Sequence, residues 1–226
     1  MEIILHRANS VVDWSTAKEH GWGIEVDLRT YKGLAYISHD IIEKEEWLEF
    51  LPSFALLYEF TKENPFGTHA NKWSNIVVLD CKESGIVERT YDIWRYGHYA
   101  CTGLSVPDEI YAIGCGYRTL TRTSRFENLD LCADCMPQYQ KVGSNEYWVD
   151  YVFNPSDLEK YKEIASSAFV VSPELHKNQK RANNWLFQSN QYKEACELTD
   201  EFIQAVYDMG FKGVCTDEPM RYANSA

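Results

Sequence analysis

The feature that most constrains this chain is an alternation. Short β-type runs recur along its whole length, each followed by a helical or loop stretch. Parallel strands must be joined by long crossovers, so the pattern specifies a parallel sheet covered by helices. Eight runs are readable: Ile3 to His6, Gly23 to Leu28, Asn75 to Asp80, His98 to Leu104, Thr119 to Ser124, Tyr147 to Phe153, Ala168 to Ser172 and Gly213 to Asp217. Eight such strands in 226 residues predict an α/β fold, a compact (β/α)8 TIM barrel near the lower end of its size range. After the second strand a β-hairpin extension is expected: Thr30-Tyr31-Lys32-Gly33 is a turn signal, and Leu34 to Ser38 reads again as strand.

Between the strands, Asn154-Pro155-Ser156-Asp157 combines a cap, a proline at the first helical position and an acid in the first turn. It opens a helix to about Ser166. Val106-Pro107-Asp108-Glu109 opens a shorter one in the same way. From Gln191 to Met209 the residues Tyr192, Cys196, Thr199, Phe202, Ile203 and Val206 fall three or four apart, and Gly210 supplies a stop. One long helix is expected there. Residues 125 to 146 and 173 to 190 lack a clear period and are expected to be long loops on the C-terminal face. With no internal repeat or linker evident, residues 1–226 are read as one domain.

Composition narrows the partners. The chain is 45% hydrophobic and 14% aromatic with only 7 Pro and 12 Gly, enough to build a core and unlike a disordered segment. Its 34 acidic against 22 basic residues give a net charge of −12, which repels a polyanion, so nucleic acid is excluded as an expected partner. The opening Met1-Glu2-Ile3-Ile4-Leu5-His6-Arg7 lacks the basic start of a signal peptide, and no run approaches the roughly 18 apolar residues of a membrane span. A protein without a transmembrane segment that keeps its N-terminus is expected. The seven cysteines are odd in number, and several sit in or beside apolar runs, a pattern of a reducing cytoplasm. Cys132 and Cys135 form a C-x-x-C with no second pair at zinc-ribbon spacing.

The polar residues at the strand ends carry the chemistry. Glu25-Val26-Asp27 places two carboxylates on one face of a strand with Val26 on the other. Val77-Val78-Leu79-Asp80-Cys81-Lys82 ends in an acid and a base on one face. Glu25, Asp27 and Asp80 at adjacent strand ends make an all-oxygen site suited to a divalent cation, Mg2+ or Ca2+. His6-Arg7 ends the first strand and His39-Asp40 ends the hairpin, bringing two imidazoles to the same mouth as acid and base. A small-molecule phosphodiester between them, held by the metal, Lys82 and Arg7, is the natural substrate class. Each residue alone also has an ordinary structural reading as a strand-end hydrogen bond or surface ion pair. Their shared position at strand ends joins them into one site.

These segments together resemble the glycerophosphodiester phosphodiesterase family within the PI-PLC-like phosphodiesterase superfamily. Leu5-His6-Arg7 resembles the family's His-Arg-Gly opening, Glu25-Val26-Asp27 its Glu-Val-Asp strand and Ser38-His39-Asp40 its Ser-His-Asp ending. Leu79-Asp80-Cys81-Lys82 stands where the family has Glu-Ile-Lys, and Thr216-Asp217-Glu218-Pro219 is similar to its closing Thr-Asp-x-Pro. The resemblance implies a (β/α)8 phosphodiesterase of lipid metabolism, a metal on Glu25, Asp27 and Asp80, and catalysis by His6 and His39. It further implies phosphate contacts from Arg7 and Lys82, with Arg122 on the fifth strand as a third.

Trp148 and Asp150 on the sixth strand, and Glu174 and His176 after the seventh, are expected to shape a leaving-group site, Trp148 and Glu174 by contact with substrate. A core Trp and a capped loop are the alternative there.

Ala8-Asn9-Ser10 replaces the family's Gly, and the first unit lacks its Pro-Glu-Asn-Thr segment. Asp80 in place of Glu, and Asn9 three residues after His6, resemble the sphingomyelinase D-like phospholipases of the same superfamily. Two further readings stay open: a non-catalytic barrel binding a phosphorylated ligand, and a TIM barrel of unrelated chemistry.

Overall fold

A computed structural model describes residues 1–42, 45–63, 76–83, 85–86, 99–104, 106–124, 144–177 and 190–225. Its strands are β1 (Glu2–Leu5), β2 (Gly23–Tyr31), β3 (Leu34–Ile37), β4 (Val77–Cys81), β5 (Tyr99–Thr102), β6 (Arg118–Thr119), β7 (Thr121–Ser124), β8 (Tyr147–Asp150), β9 (Ala168–Val171) and β10 (Gly213–Thr216). The sheet runs β6-β5-β4-β2-β1-β10-β9-β8-β7, every neighbour parallel, while β3 pairs antiparallel with β2. Only Leu120 separates β6 from β7. Its N–H donates to the Cys101 carbonyl at 2.7 Å, and the next N–H, of Thr121, donates to Glu146 at 3.0 Å. One bent segment therefore pairs with both ends of the sheet and closes it, giving the expected (β/α)8 barrel with a hairpin after the second strand.

Strand alternation sorts the side chains into three apolar layers. Ile4, Ile76, Val78, Ala100, Leu120, Trp148, Phe169, Val171 and Cys215 fill the barrel interior. Outside β2, β4 and β5, the residues Ile24, Val26, Leu28, Val77, Leu79 and Cys101 pack with Trp14, Phe54, Leu57 and Ala112. Outside β8, β9 and β10, Val149, Val170 and Val214 pack with Leu158, Phe202, Val206 and Tyr222. The interior positions left over at the C-terminal ends are polar, and these build the mouth.

The helices differ from expectation in three places. Helix α1 (Val11–His20) has no wide apolar stripe and buries only Trp14 and Ala17; its ends define it instead. Ser10 Oγ accepts from Asp13 N–H, the Asp13 carboxylate accepts from Ser10 N–H, and Gly21 at φ +71 ends the helix. Helices α2 (Phe54–Glu63) and α3 (Val106–Gly114) follow. The segment opened by Asn154 is α-helical only over α4 (Pro155–Leu158) and continues as 3₁₀-helix over Glu159–Ser167. Its buried residues Leu158, Tyr161 and Ile164 are three apart, the period that lines up on a 3₁₀ face.

The long helix expected from Gln191 to Met209 is two: α5 (Asn190–Ala195) and α6 (Asp200–Asp208). Thr199 breaks it, its hydroxyl accepting from Phe202 N–H at 3.2 Å as an N-cap, with acids at Asp200 and Glu201 in the first turn. Helix α7 (Pro219–Ala223) ends the fold. The stretch after β9 begins as a 3₁₀ turn over Pro173–His176. Asn75, His98, Cys132, Cys135 and residues 125–143 lie outside the described residues. Cys81, Cys101, Cys115, Cys196 and Cys215 are free thiols.

Candidate functional site

Glu25 and Asp27 point inward from β2, and Asp80 from β4, in register beside Asp27. One carboxylate oxygen from each lies within 4.8 Å of the others. Glu25 and Asp27 are buried and Asp80 partly so. The turn after β1 encloses them. Arg7 adopts a left-handed conformation, φ +46, and its N–H donates to Glu25 Oε2 at 2.7 Å, while Ala8 N–H donates to the Glu25 carbonyl at 2.8 Å. A side chain held at positive φ is strained, and such strain concentrates at functional sites. Asn9 clasps Asp27 in both directions, Nδ2 donating to Oδ2 at 2.7 Å and Oδ1 accepting from Asp27 N–H at 2.9 Å.

The cation supply at this cluster is short. Lys82 Nζ lies 2.7 Å from Asp27 Oδ1 and also donates to Asp80, and Arg7 Nε is 4.0 Å from Asp27 Oδ2. Burial, reinforced by the Asp27 charge, pushes the Glu25 carboxyl up to about 7. Asp27 moves the other way: burial favours its neutral form, but the Lys82 charge and hydrogen bond, with Asn9, outweigh it and hold the carboxyl low. Burial disfavours the Lys82 ammonium, yet Asp80 and Asp27 raise its pKa on balance.

Three carboxylates sharing one ammonium are a donor set that fits a hard divalent cation. The mouth also makes room for it. Gly103, at φ +74 just past β5, lies so close to Asp80 that a β-carbon there would run into the carboxylate. Among the described residues this is the one cluster of three or more ligating side chains that could hold a metal ion.

His6 follows β1 into the mouth, its Nδ1 2.9 Å from Asp217 Oδ1 at the end of β10. Burial lowers the imidazole pKa, but the Asp217 hydrogen bond and the Glu25 charge raise it further, so the net shift is upward. His39 follows β3 with Nδ1 2.9 Å from Asp40 Oδ1 and is more open, 42% exposed against 15% for His6. Two contacts fix its backbone: Ser38 N–H donates to the Asp27 carbonyl at 2.9 Å, and the Arg29 guanidinium donates to the His39 carbonyl at 3.0 and 2.8 Å. Each imidazole is thus bonded to its own carboxylate, and both interact electrostatically with the cluster, His6 with Glu25 and His39 with Asp27.

The remaining predicted residues divide differently. Arg122 is paired within the barrel, its Nη2 donating to Asp150 Oδ2 at 2.5 Å. Asp150 is buried and also meets His176 Nε2 at 3.1 Å and Tyr151 N–H at 2.9 Å. Trp148 is a core residue, buried in the barrel interior against Phe169. Glu174 is an internal staple: it accepts from the Ser172 hydroxyl, from Thr216 Oγ1 at 2.5 Å and from Asp217 N–H at 3.2 Å. The sequence reading missed Arg29 and the hydrogen-bonding part of Asp217. Strand parity puts Arg29 on the face of Glu25 and Asp27, and Asp217 closes a strand as the other acids do.

No protein-family model and no curated protein matches this sequence. Solved structures do match its fold. A candidate glycerophosphodiester phosphodiesterase from Galdieria sulphuraria is similar with a TM-score of 0.65 over 99% of this chain and 96% of that one, at 12% identity. The glycerophosphodiester phosphodiesterase of Agrobacterium tumefaciens strain C58 gives 0.59 over 99% of both chains at 10% identity. A dihydropteroate synthetase in complex with a product gives 0.52 over 99% of this chain and 91% of that one, at 9% identity. One barrel frame thus hosts different chemistries, so the match establishes architecture while the chemistry must be argued from the site. The architecture is that of a (β/α)8 barrel, similar to the barrels of those glycerophosphodiester phosphodiesterase structures.

Proposed function

We propose that this chain is a metal-dependent phosphodiesterase acting on a small phosphodiester. The observation that carries the reading is the convergence of Glu25, Asp27 and Asp80 at one barrel mouth. Residues Glu25, Asp27 and Asp80 would hold the cation. When bound, a divalent cation supplies Lewis-acid polarisation and neutralises phosphoryl charge.

Asp217 anchors His6 by Nδ1 and leaves Nε2 to exchange a proton with substrate. The upward shift of its pKa suits His6 to be the general acid that protonates the departing alkoxide as the phosphorus–oxygen bond breaks. His39, the more exposed imidazole, suits the general base that takes the proton of the attacking oxygen. Arg7, Lys82 and Arg122 contribute positive charge for the phosphate oxygens. The nucleophile is water or a neighbouring substrate hydroxyl, and a cyclic product distinguishes the second. Asn9 clasping Asp27, together with Asp80 in the third position, favours the sphingomyelinase D-like variant of this chemistry as second reading.

The test is calorimetric titration of Mg2+, Ca2+ and Mn2+ into wild type and Asp27→Asn, followed by hydrolysis of a panel of glycerophosphodiesters, whose alkoxide leaving groups require a general acid. Binding near one equivalent that Asp27→Asn abolishes, with diester cleavage that His6→Ala abolishes, is expected. Equal binding by wild type and Asp27→Asn, or full activity of His6→Ala, overturns the assignment.

A further inference from the structure

We infer that Lys82 is a tethered counter-ion that occupies the carboxylate cluster and competes with the divalent cation for it, so that metal entry releases the ammonium toward the substrate. The inference rests on the metal-site reading above and adds how that site is regulated.

The ammonium is placed among the ligands themselves. Lys82 Nζ is 2.7 Å from Oδ1 of the fully buried Asp27 and hydrogen-bonds the carboxylate of Asp80. The ligand atoms lie within 4.8 Å of one another, so the ammonium sits where a shared cation would be held. A second cation brought against an ammonium at such a distance is repelled in a poorly screened setting. Lys82 cannot leave altogether, because its N–H donates to the Leu28 carbonyl at 3.1 Å and roots the side chain at the end of β4. Displaced from the carboxylates, it is confined to the mouth. Metal binding and anion recognition are then coupled: the event that loads the cluster also frees a positive charge beside it. The same arrangement offsets part of the charge of the buried acids when the cation is scarce.

Three proteins test this by calorimetry with Mn2+ and Mg2+: wild type, Lys82→Met and Lys82→Arg. Removing a like charge from such a distance is expected to tighten metal binding about tenfold or more in Lys82→Met, whereas Lys82→Arg, which keeps the charge, stays near wild type. Equal or weaker binding by Lys82→Met, with wild type binding normally, overturns the inference and leaves the metal site standing. Absence of binding in all three overturns the metal site and the inference with it.

A second measurement needs no variant and covers the case in which Lys82→Met does not fold. Reductive methylation of the wild-type protein, mapped by peptide mass spectrometry, is expected to label Lys82 faster when saturating Mg2+ is present. Labelling that is unchanged or slowed while metal binds also overturns the inference.

Discussion

The two sides of the barrel mouth use the same device to opposite ends. On the side of β1, β2 and β4, three inward acids share, among the described residues, the Lys82 ammonium and the more distant Arg7 guanidinium. On the side of β7 and β8, the inward acid Asp150 meets Arg122, His176 and a backbone N–H. Tyr151 stacks on His176 at 4.4 Å and seals it. A strand-end acid is therefore neither catalytic nor structural by position; the local charge balance decides.

That contrast can be broken by substitution. Asp27→Asn, on the unbalanced side, should abolish metal binding and activity together, read by calorimetry and diester turnover. His6→Ala should lower turnover about 10²–10⁴-fold while metal binding persists. On the balanced side, Asp150→Ala leaves Arg122 and His176 facing a void and should cost about 3–5 kcal/mol in urea unfolding, with metal affinity retained. If Asp150→Ala instead eliminates metal binding at unchanged stability, the two sides are not distinct.

Acidity sharpens the comparison further. Burial raises the Asp150 pKa, but Arg122 and His176 more than reverse this and hold the carboxyl well below its usual range. Its stabilising contribution is fully present above the unfolded value of about 3.9 and is lost as pH falls below that toward the folded pKa. Unfolding followed from neutral pH downward should show this loss in wild type and not in Asp150→Asn. His6 behaves oppositely. Its raised folded pKa gives stability that is complete below about 6.5 and disappears as pH rises through the folded value, a slope that His6→Gln should remove. The smallest effect belongs to the layer outside the site: Ser10→Ala removes half of the capping box of α1 and should cost about 1 kcal/mol, leaving metal affinity unchanged.

Much of this was legible because β-structure writes burial into parity. Glu25 and Asp27 flank an outward Val26, and Asp80 and Lys82 flank an outward Cys81, so the sequence alone places all four inward. Parity says nothing about depth. Trp148 and Asp150 share a face, yet the indole lies in the core while only Asp150 reaches Arg122. Helix boundaries were less legible because end signals outrank periodicity in this chain: α1 is defined by Ser10, Asp13 and Gly21, and Thr199 interrupts an apolar period that reads as continuous. The part played by Glu174 was hidden because its partners Thr216 and Asp217 are about forty residues away in sequence.

The seam at Leu120 has a consequence for assembly. All three carboxylates and both histidines belong to the chain before it, and the Asp217 that orients His6 belongs to the chain after it. A growing polypeptide would carry every ligand of the acid cluster long before β10 can dock on β1. The Asp217 contact that orients His6 therefore forms only once β10 has docked on β1.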